Sequence, residues 1–228
     1  MIAENVARIL ARIGEACHKV GRSPEEIRIV AAAKGQGRER IREAVAQGIR
    51  IIGHNYVQEA VSEAPLECTP DLEFHMIGHL QKNKAGKAVE LFHTIQTVDD
   101  PELAEVVNRR AAQIGRTIGV MIQINLASES QKSGIPPQEA EPLISVISSL
   151  PALRLRGLMT MPPFFDDPEA ARPYFAALRE LRDRLVASRV LAPEMAELSM
   201  GMTGDFEAAV QEGATMVRIG TALFGPRS

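Results

Sequence analysis

Eight parallel strands closed into a (β/α)8 barrel, with one extra helix in front, form the α/β fold that this sequence favours. Short apolar runs alternate strictly with longer segments of helical period, and this alternation is typical of a parallel sheet. Eight strands close such a barrel, and the 228 residues approach the usual barrel length of about 250. The competing open, doubly wound sheet is disfavoured because no G-x-G-x-x-G motif follows the first strand.

The first helix precedes the barrel and is amphipathic. Its apolar residues recur at steps of three and four, which marks one buried helical face: Ile2, Val6, Ile9, Ile13, Cys17 and Val20. The strands that follow are short apolar runs, and they are predicted at residues 27–33, 49–53, 73–78, 93–98, 119–126, 154–159, 197–200 and 215–220.

Seven helices are predicted between these strands. Several of the segments begin at Asp, Asn or Pro and several end at Gly, as helix caps require; Gly48 and Gly213 each close a helix just before the next strand. The predicted helices cover residues 38–48, 55–64, 81–91, 100–115, 136–150, 167–188 and 204–213. No linker, fixed-period repeat or low-complexity segment divides the chain, so residues 1–228 are expected to form a single domain.

Composition and charge exclude several classes of function. A content of 45% hydrophobic and 24% charged residues is ordinary for a soluble globular protein. The net charge of −3, with Lys and Arg dispersed, provides no basic surface for nucleic acid or an anionic membrane. The apolar runs are strand-sized and charges interrupt the first one, so neither a membrane span nor a secretory signal is predicted. Cys17 and Cys68 lack a C-x-x-C motif, which favours a reduced, cytoplasmic protein.

Lys34 ends the first strand, in the run IRIVAAAKGQG at residues 27–37. A lysine in this place has two interpretations. Either its side chain reaches solvent from the strand end and has no further role, or its half-buried amine is a nucleophile for a carbonyl. The second interpretation gains support because barrel active sites form at the carboxyl ends of the strands, where the first strand neighbours the eighth.

Two glycine-containing loops, 198–206 and 218–225, follow the last two strands, where barrels often hold phosphate. Free backbone N–H groups at a helix start attract anions. The alternative is that both loops are ordinary glycine turns with serine and threonine caps. The small residues that would surround a phosphate are Ser199, Gly201, Thr203, Gly220 and Thr221.

Arg218 interrupts the apolar eighth strand, TMVRIG, beside the second loop. A buried guanidinium needs hydrogen bonds, so Arg218 either pairs with a carboxylate at the barrel rim or donates to an acceptor on a ligand. Lys34, Arg218 and the phosphate loops would then converge on one barrel mouth. That set suits pyridoxal 5′-phosphate (PLP), with phosphate in the loops, the aldehyde on Lys34 and the ring nitrogen facing Arg218.

Other polar residues near the predicted mouth have less definite roles. His54 follows the second strand and is expected to point to the mouth as a supporting or rim group, whereas Asn55 either caps the next helix or contacts a ligand. His75 and His79 are four residues apart but straddle a strand end and a loop, without a cysteine or acidic ligand at a suitable spacing. No metal site is expected.

Six segments of the chain match a known family: AAAKGQ, IGHNYVQE, HMIGHLQKNK, QKSGI, LRGLMTM and the final block LSMGMTGDFEAAVQEGATMVRIGTALFG. They resemble the YggS/PROSC family of PLP homeostasis proteins, nearly from end to end. The resemblance implies a barrel like that of fold-type III PLP enzymes such as alanine racemase, without their second β domain. It implies that Lys34 is the Schiff-base lysine, that Arg218 contacts the pyridine nitrogen and that Asn55 lies near the ring. The five small residues of the two loops would surround the phosphate, some of them through the backbone.

Two departures from the family pattern concern the surroundings of the site. His54 stands where the family usually has an acidic residue, in a G-E-N-Y-V-Q-E pattern. This puts in doubt a polar network through that position, but not the role of Lys34. Ala33 and Gly35 replace the flanking residues of the common S-K-T form, which predicts a looser pocket.

Three functions remain open on the sequence. The favoured one is a protein that holds PLP as a Lys34 Schiff base and acts in vitamin B6 and amino-acid homeostasis without turnover, because an arginine at the ring nitrogen weakens the ring as an electron sink. The second is a weak racemase-like enzyme, whose other base would be Tyr56, His54 or His79. The third, a lysine-imine aldolase acting on a sugar phosphate, is disfavoured because Lys34 lies on the first strand. We expect a monomer, with PLP-dependent apo-enzymes as candidate recipients of PLP.

Overall fold

A closed barrel of eight parallel strands forms the centre of the computed structural model, which describes residues 1–63, 71–127 and 133–226. Each strand pairs with its successor, and the eighth pairs with the first. The predicted barrel is confirmed, and the alternative of an open, doubly wound sheet is wrong. The strands are β1 (Arg28–Ala32), β2 (Ile51–His54), β3 (Glu73–Met76), β4 (Thr94–Val98), β5 (Ile118–Gln123), β6 (Leu153–Met159), β7 (Glu197–Met202) and β8 (Met216–Ile219).

Helices connect the strands, and one precedes them. They are α1 (Ile2–His18), α2 (Arg38–Ala46), α3 (Val57–Glu63), α4 (Ala85–Leu91), α5 (Pro101–Gln113), α6 (Ala140–Ser148), α7 (Arg172–Ala187), α8 (Phe206–Gln211) and α9 (Thr221–Phe224). The extra helix α1 contacts α2, α8 and α9, and Asn5 Nδ2 donates a hydrogen bond to Leu223 O at 2.9 Å. The N-terminal helix therefore packs where the barrel closes.

Helix boundaries differ from the predicted ones where proline begins a segment. α6 and α7 start later than expected because the 3₁₀ turns Pro137–Glu139 and Pro168–Ala171 occupy the first residues of both segments. Proline fixes φ near the helical value and lacks an N–H, so it suits the first turn. A short helix, α9, also lies where the sequence analysis predicted only a loop.

The apolar core has two parts separated by the barrel wall. The larger part contains side chains of both strands and helices and fills the layer between them, with Phe92, Phe175 and Phe206 among its largest buried members. The smaller part is a cluster inside the barrel, formed by Val30, Ile51, Ile77, Met121, Met159 and Met216. Both faces of the strands are therefore buried, as is usual for parallel sheets.

Two further observations concern the membrane and the thiols. Across the three described ranges, no helix has both the length and the apolar character needed to cross a bilayer. Cys17 is a buried free thiol on α1. Cys68, the other cysteine of the sequence, lies outside the described residues.

Candidate functional site

A cavity of about 370 Å³ opens at the carboxyl ends of the strands. A volume of this size is in the usual range for a small-molecule site. Apolar side chains form part of its wall. Six of the eight residues predicted for the site also line it, and these are Lys34, Asn55, Thr203, Arg218, Gly220 and Thr221. The topology thus brings residues from both ends of the chain to one opening.

Lys34 occupies the second position of a tight turn after β1. Ala33 N–H extends the ladder by donating to Gly53 O at 2.9 Å, and Gln36 N–H closes the turn on Ala33 O at 2.9 Å. Gly35, the third residue of the turn, has a φ of +71°, a conformation that favours glycine. The backbone of this turn therefore fixes the point at which the half-buried Lys34 side chain enters the cavity wall.

The Tyr56 ring lies over the amine of Lys34. The distance from Lys34 Nζ to the ring centroid is 5.2 Å, which is within the range of a cation–π contact. Tyr56 is 53% exposed and lines the neighbouring cavity. Tyr56, which the sequence analysis offered as the second base of a racemase-like enzyme, therefore lies close to Lys34 and presents its ring face to the amine.

Asn55 reaches the cavity from the loop between β2 and α3. The loop after β3 packs closely against its backbone, because Gly78 has no side chain: a Cβ at Gly78 would lie 2.3 Å from Asn55 O. Gly78 O also accepts a hydrogen bond from Thr97 Oγ1 at 2.7 Å. These contacts hold Asn55 at the cavity wall. Its two predicted roles, as a cap of the next helix or as a ligand contact, both remain predictions.

The two small-residue loops are joined to each other. Thr203 Oγ1 accepts a hydrogen bond from Ala222 N–H at 3.2 Å, and the N–H groups of Leu223 and Phe224 donate to Gly220 O. Thr221 N–H, the first of α9, finds no acceptor among the described residues. A backbone donor at a helix start beside small side chains is suited to an anion.

Arg218 lines the cavity from inside the barrel and is only 3% exposed. Its Nη1 donates to Ser199 Oγ at 2.8 Å, and its Nη2 donates to Thr160 O at 2.8 Å. Because both acceptors are neutral oxygens, the alternative of a rim arginine paired with a carboxylate is wrong. Burial lowers the pKa of Arg218 to about 10, while the Asp205 carboxylate acts in the opposite direction. The guanidinium therefore stays charged at pH 7.

Ser199 and Gly201, which were predicted beside the phosphate, do not line the cavity. Ser199 is fully buried, and its hydroxyl accepts from Arg218 and donates to Gln96 Oε1 at 2.6 Å. Gly201 has a φ of +90°, and a Cβ there would lie 2.5 Å from Ala209 Cβ. The structure thus gives Ser199 a role in holding Arg218, and Gly201 a role in packing α8 against β7.

The expectation that His54 points to the mouth is wrong. Ile51 of the same strand belongs to the cluster inside the barrel and Ile52 to the layer outside it, so alternation directs His54 outward. Its ring stacks on Phe74, with centroids 5.8 Å apart, and lies 6.3 Å from the Phe92 centroid. Burial lowers the pKa of His54 to about 4. His54 is thus a neutral packing residue outside the site.

The two remaining histidine candidates are also separated by the fold. His75 is fully buried inside the barrel, whereas His79 is exposed and lines a neighbouring cavity. Within the described ranges, no group of three or more His, Cys, Asp or Glu side chains is placed to hold a metal ion.

Sequence reasoning missed Gln96, which is fully buried in β4 and bonds to Ser199. Its signal was present: the amide interrupts the apolar strand TIQTV in the same way that Arg218 interrupts TMVRIG. It also missed Asp205 and Phe164 at the cavity wall. Phe164 is 87% exposed and had no periodic pattern that would have marked it.

Comparison with known proteins agrees with this geometry. The family model described as alanine racemase, N-terminal domain, matches residues 4–228. The pyridoxal phosphate homeostasis protein of Aquifex aeolicus (strain VF5) is 40% identical over 224 residues, which cover 98% of this chain and 97% of the relative. The chain belongs to the family of pyridoxal phosphate homeostasis proteins.

Solved structures of related proteins have the same barrel fold. PipY of Synechococcus elongatus PCC7942, solved with PLP bound, has a TM-score of 0.85 and 36% identity, covering 99% of this chain and 100% of that chain. An alanine racemase of Clostridium difficile 630 has a TM-score of 0.74 and 19% identity, covering 98% of this chain and 57% of that chain. The second likeness concerns the fold alone. The resemblance stated from the sequence is confirmed.

Proposed function

We propose that this chain binds PLP at the barrel mouth and acts in vitamin B6 and amino-acid homeostasis without catalytic turnover. The observation that carries the proposal is the convergence of Lys34, Arg218 and two small-residue loops on one cavity. The related proteins are named for pyridoxal phosphate homeostasis, and the PipY structure contains PLP; both support the PLP part of the proposal. A cation, an amine and a backbone anion site in one opening fit the three polar ends of that cofactor.

Lys34 would hold the cofactor as a Schiff base. The Lys34 amine would be the nucleophile that condenses with the aldehyde of PLP, with loss of one water molecule. The turn at Gly35 places this amine at the cavity wall, and the Tyr56 ring restricts its other side. When bound, PLP supplies a conjugated ring that can withdraw electrons from an attached amine.

Arg218 would face the ring nitrogen. A guanidinium donates hydrogen bonds and accepts none, so Arg218 would donate to an unprotonated ring nitrogen, and its charge would oppose protonation of that nitrogen. Its two hydrogen bonds to Ser199 and Thr160 hold the side chain inside the barrel. This arrangement argues against turnover, since the electron-withdrawing power of the ring depends on the protonated nitrogen.

Thr203, Gly220 and Thr221 would hold the phosphate, with Asn55 near the ring. The contact between Thr203 Oγ1 and Ala222 N–H joins the two loops into one cradle. Asp205 lies in the same wall, but its Oδ1 accepts from Met202 N–H at 2.6 Å. Burial raises the pKa of Asp205, and its hydrogen bond from Met202 acts in the opposite direction.

The absorption spectrum of the purified protein with excess PLP tests this proposal. We expect a visible band in the wild type that borohydride converts into a permanent label, located on Lys34 by mass spectrometry of peptides. Lys34→Ala should lose both band and label. Lys84→Ala is the matched control, because Lys84 is a half-buried lysine of the neighbouring cavity, and it should keep both. A wild type without the band, or with its label elsewhere, would contradict the proposal.

A racemase-like activity is the second candidate, and Tyr56 is the observation that favours it, since its phenol lies beside Lys34. We expect the PLP-loaded protein to leave the optical rotation of L-alanine unchanged over hours. Measurable racemisation that Tyr56→Phe abolishes would establish the enzyme instead.

The homeostasis role also implies a place of action and a recipient. We propose that the protein acts as a monomer in the cytoplasm, where thiols such as the buried Cys17 stay reduced. PLP-dependent apo-enzymes are the proposed recipients. Loaded protein should restore activity to such an apo-enzyme faster than an equal concentration of free PLP in the presence of a PLP scavenger.

A further inference from the structure

A chain of buried hydrogen bonds crosses the barrel below Arg218. Arg218 donates to Ser199 Oγ at 2.8 Å, and Ser199 donates to Gln96 Oε1 at 2.6 Å. Gln96 Nε2 lies 2.8 Å from His75 Nδ1, and His75 Nε2 lies 2.7 Å from Glu73 Oε2. Gln96 of β4 and Ser199 of β7 belong to strands that are not neighbours, so their bond spans the barrel interior.

The chemistry of its members gives this chain a single direction. The Arg218 guanidinium only donates, so Ser199 Oγ accepts from it and turns its own hydrogen towards Gln96 Oε1. The Gln96 amide then presents its NH2 to His75 Nδ1, which must accept. The remaining ring proton lies on Nε2 and is donated to the Glu73 carboxylate. Every hydrogen bond thus runs from the cation near the mouth to an anion at the other end.

The far end of the chain is anchored by ion pairs at the amino ends of the strands. Arg156 Nη1 contacts Glu73 Oε2 at 3.0 Å, and Arg156 Nε contacts Glu197 Oε2 at 3.1 Å. Glu197 also pairs with Arg28. The hydrogen bond from His75 holds the pKa of Glu73 at about 2, with Arg156 contributing in the same direction. The anion that ends the chain is therefore permanent at neutral pH.

We infer that Ser199, Gln96 and His75 are positioning residues, which hold the Arg218 guanidinium at the ring nitrogen through one directional chain that ends on Glu73. The inference rests on the proposed function for its ligand, but the chain itself is present without one. Hydrogen bonds in series polarise one another in a low dielectric. Each member uses both of its polar ends, so loss of one releases its neighbours from a fixed orientation.

His75 is the member whose state reports on the whole chain. Burial lowers the pKa of His75, Glu73 opposes that effect, and the charges of Arg156 and Arg28 add to it. These are the charged groups that face it from β3, β6 and β1. A neutral imidazole with its proton on Nε2 is the one form that satisfies both contacts.

Nitrogen-15 NMR of the cofactor-free protein at pH 7 tests the chain directly. We expect the His75 ring to show an unprotonated, hydrogen-bonded Nδ1 and a protonated Nε2 in slow exchange with water. An imidazolium, or a proton on Nδ1, would overturn the inference. Since this measurement uses the wild type, its result does not depend on any variant folding.

Two substitutions of Gln96 then test the positioning of Arg218. Gln96→Leu removes both contacts and should raise the dissociation constant for PLP about tenfold, with a shift in the pH midpoint of the bound-cofactor absorption. Gln96→Glu still accepts from Ser199 but cannot donate to His75. It should therefore restore binding to within about threefold of the wild type and convert His75 to an imidazolium.

Met121→Leu is the matched control, because Met121 is buried inside the barrel but lies outside the chain. It should bind within about twofold of the wild type and with an unchanged spectrum. A Gln96→Leu protein that binds PLP like the control would overturn the positioning role. A wild type that fails to bind PLP at all would instead overturn the proposed function, while the NMR result would still decide on the chain.

Discussion

Two buried histidines on neighbouring strands, His54 of β2 and His75 of β3, lie on opposite sides of the barrel wall. His54 faces outward and stacks on Phe74 in the apolar layer between strands and helices. His75 faces inward and bonds to both Gln96 and Glu73. Burial lowers the pKa of each. The same residue type at the same depth thus serves packing on one side of the barrel wall and polar organisation on the other.

The comparison shows where each part of the molecule obtains its properties. The outer layer is a large apolar cluster that contributes stability through burial. The interior holds a smaller apolar cluster around a polar chain, and buried polar groups contribute little net stability but fix geometry. We therefore expect changes in the outer layer to alter stability, and changes in the interior to alter the site.

The largest expected effect is that of Phe92→Ala. Phe92 is fully buried in the outer layer, close to His54, so truncation leaves a cavity and should lower the free energy of unfolding by about 4 kcal/mol. Urea unfolding measures the change. The folded fraction of this variant should bind PLP with nearly the affinity of the wild type. A loss of PLP affinity without a loss of stability would contradict the division between outer layer and interior.

The control for Phe92→Ala is Phe164→Ala at the rim, where the ring is 87% exposed. This change should alter the free energy of unfolding by less than about 0.5 kcal/mol. Equal losses in both variants would mean that the outer layer has no special part in stability.

The second largest effect is expected from acid pH, through the contribution of His54 to the free energy of unfolding. The pKa of His54 is about 4 in the folded protein against an ordinary value of 6.5, so between these values the unfolded chain binds a proton that the folded protein does not. Stability therefore falls as the pH drops from 6.5 to 4 and levels off below, by roughly 3 kcal/mol at most for this group. Urea unfolding at pH 7 and pH 4.5 measures the loss.

His54→Gln removes that titration and isolates it from the contribution of His75, which acts in the same direction. The variant should lose less stability than the wild type between the two pH values. Identical losses in the two proteins would show that the folded protein protonates His54 as readily as the unfolded chain does, contrary to the apolar surroundings of its ring.

Controls aside, the smallest predicted effect concerns the turn at the barrel mouth, above the polar chain. Gly35→Ala places a side chain at a φ of +71° with nothing within 4 Å, so the cost is conformational and should be about 1 kcal/mol. The turn can avoid this cost by changing shape, which would move Lys34 and slow Schiff-base formation with PLP. Stopped-flow absorbance measures the rate.

Gly37→Ala is the matched control, because Gly37 has a φ of −76° and also has nothing within 4 Å. It should form the Schiff base at the wild-type rate. Equal rates for all three proteins would show that the turn does not set the position of Lys34.

The sequence was sufficient to predict the barrel, the position of Lys34 and the buried Arg218. Alternation of apolar runs with helical segments reflects the topology directly, and a charged residue in an apolar strand is conspicuous by composition alone. The direction of side chains was not predictable. IIGH has an isoleucine on each strand face, and ELSM alternates polar with apolar residues. A parallel barrel buries both faces, so neither pattern tells which face points into the barrel. His54 was therefore assigned to the mouth and Ser199 to the phosphate, when one faces outward and the other faces the barrel interior.

Gln96 and His75 could not be connected from the sequence for a different reason. Their bond to each other follows from the pairing of neighbouring strands, but the bond from Gln96 to Ser199 depends on barrel closure and on the register of strands far apart in the chain. A polar residue in a buried strand signals that a partner exists. It does not say which strand supplies it.

The single direction of the interior chain limits how its sequence can change over evolutionary time. A substitution at Ser199, Gln96 or His75 removes a donor or an acceptor that two neighbours require, so its harm should depend strongly on what occupies the other positions. Replacement of one member is then tolerated only after a compensating replacement of another. We expect relatives that have lost one of these residues to have lost or inverted the adjoining ones as well.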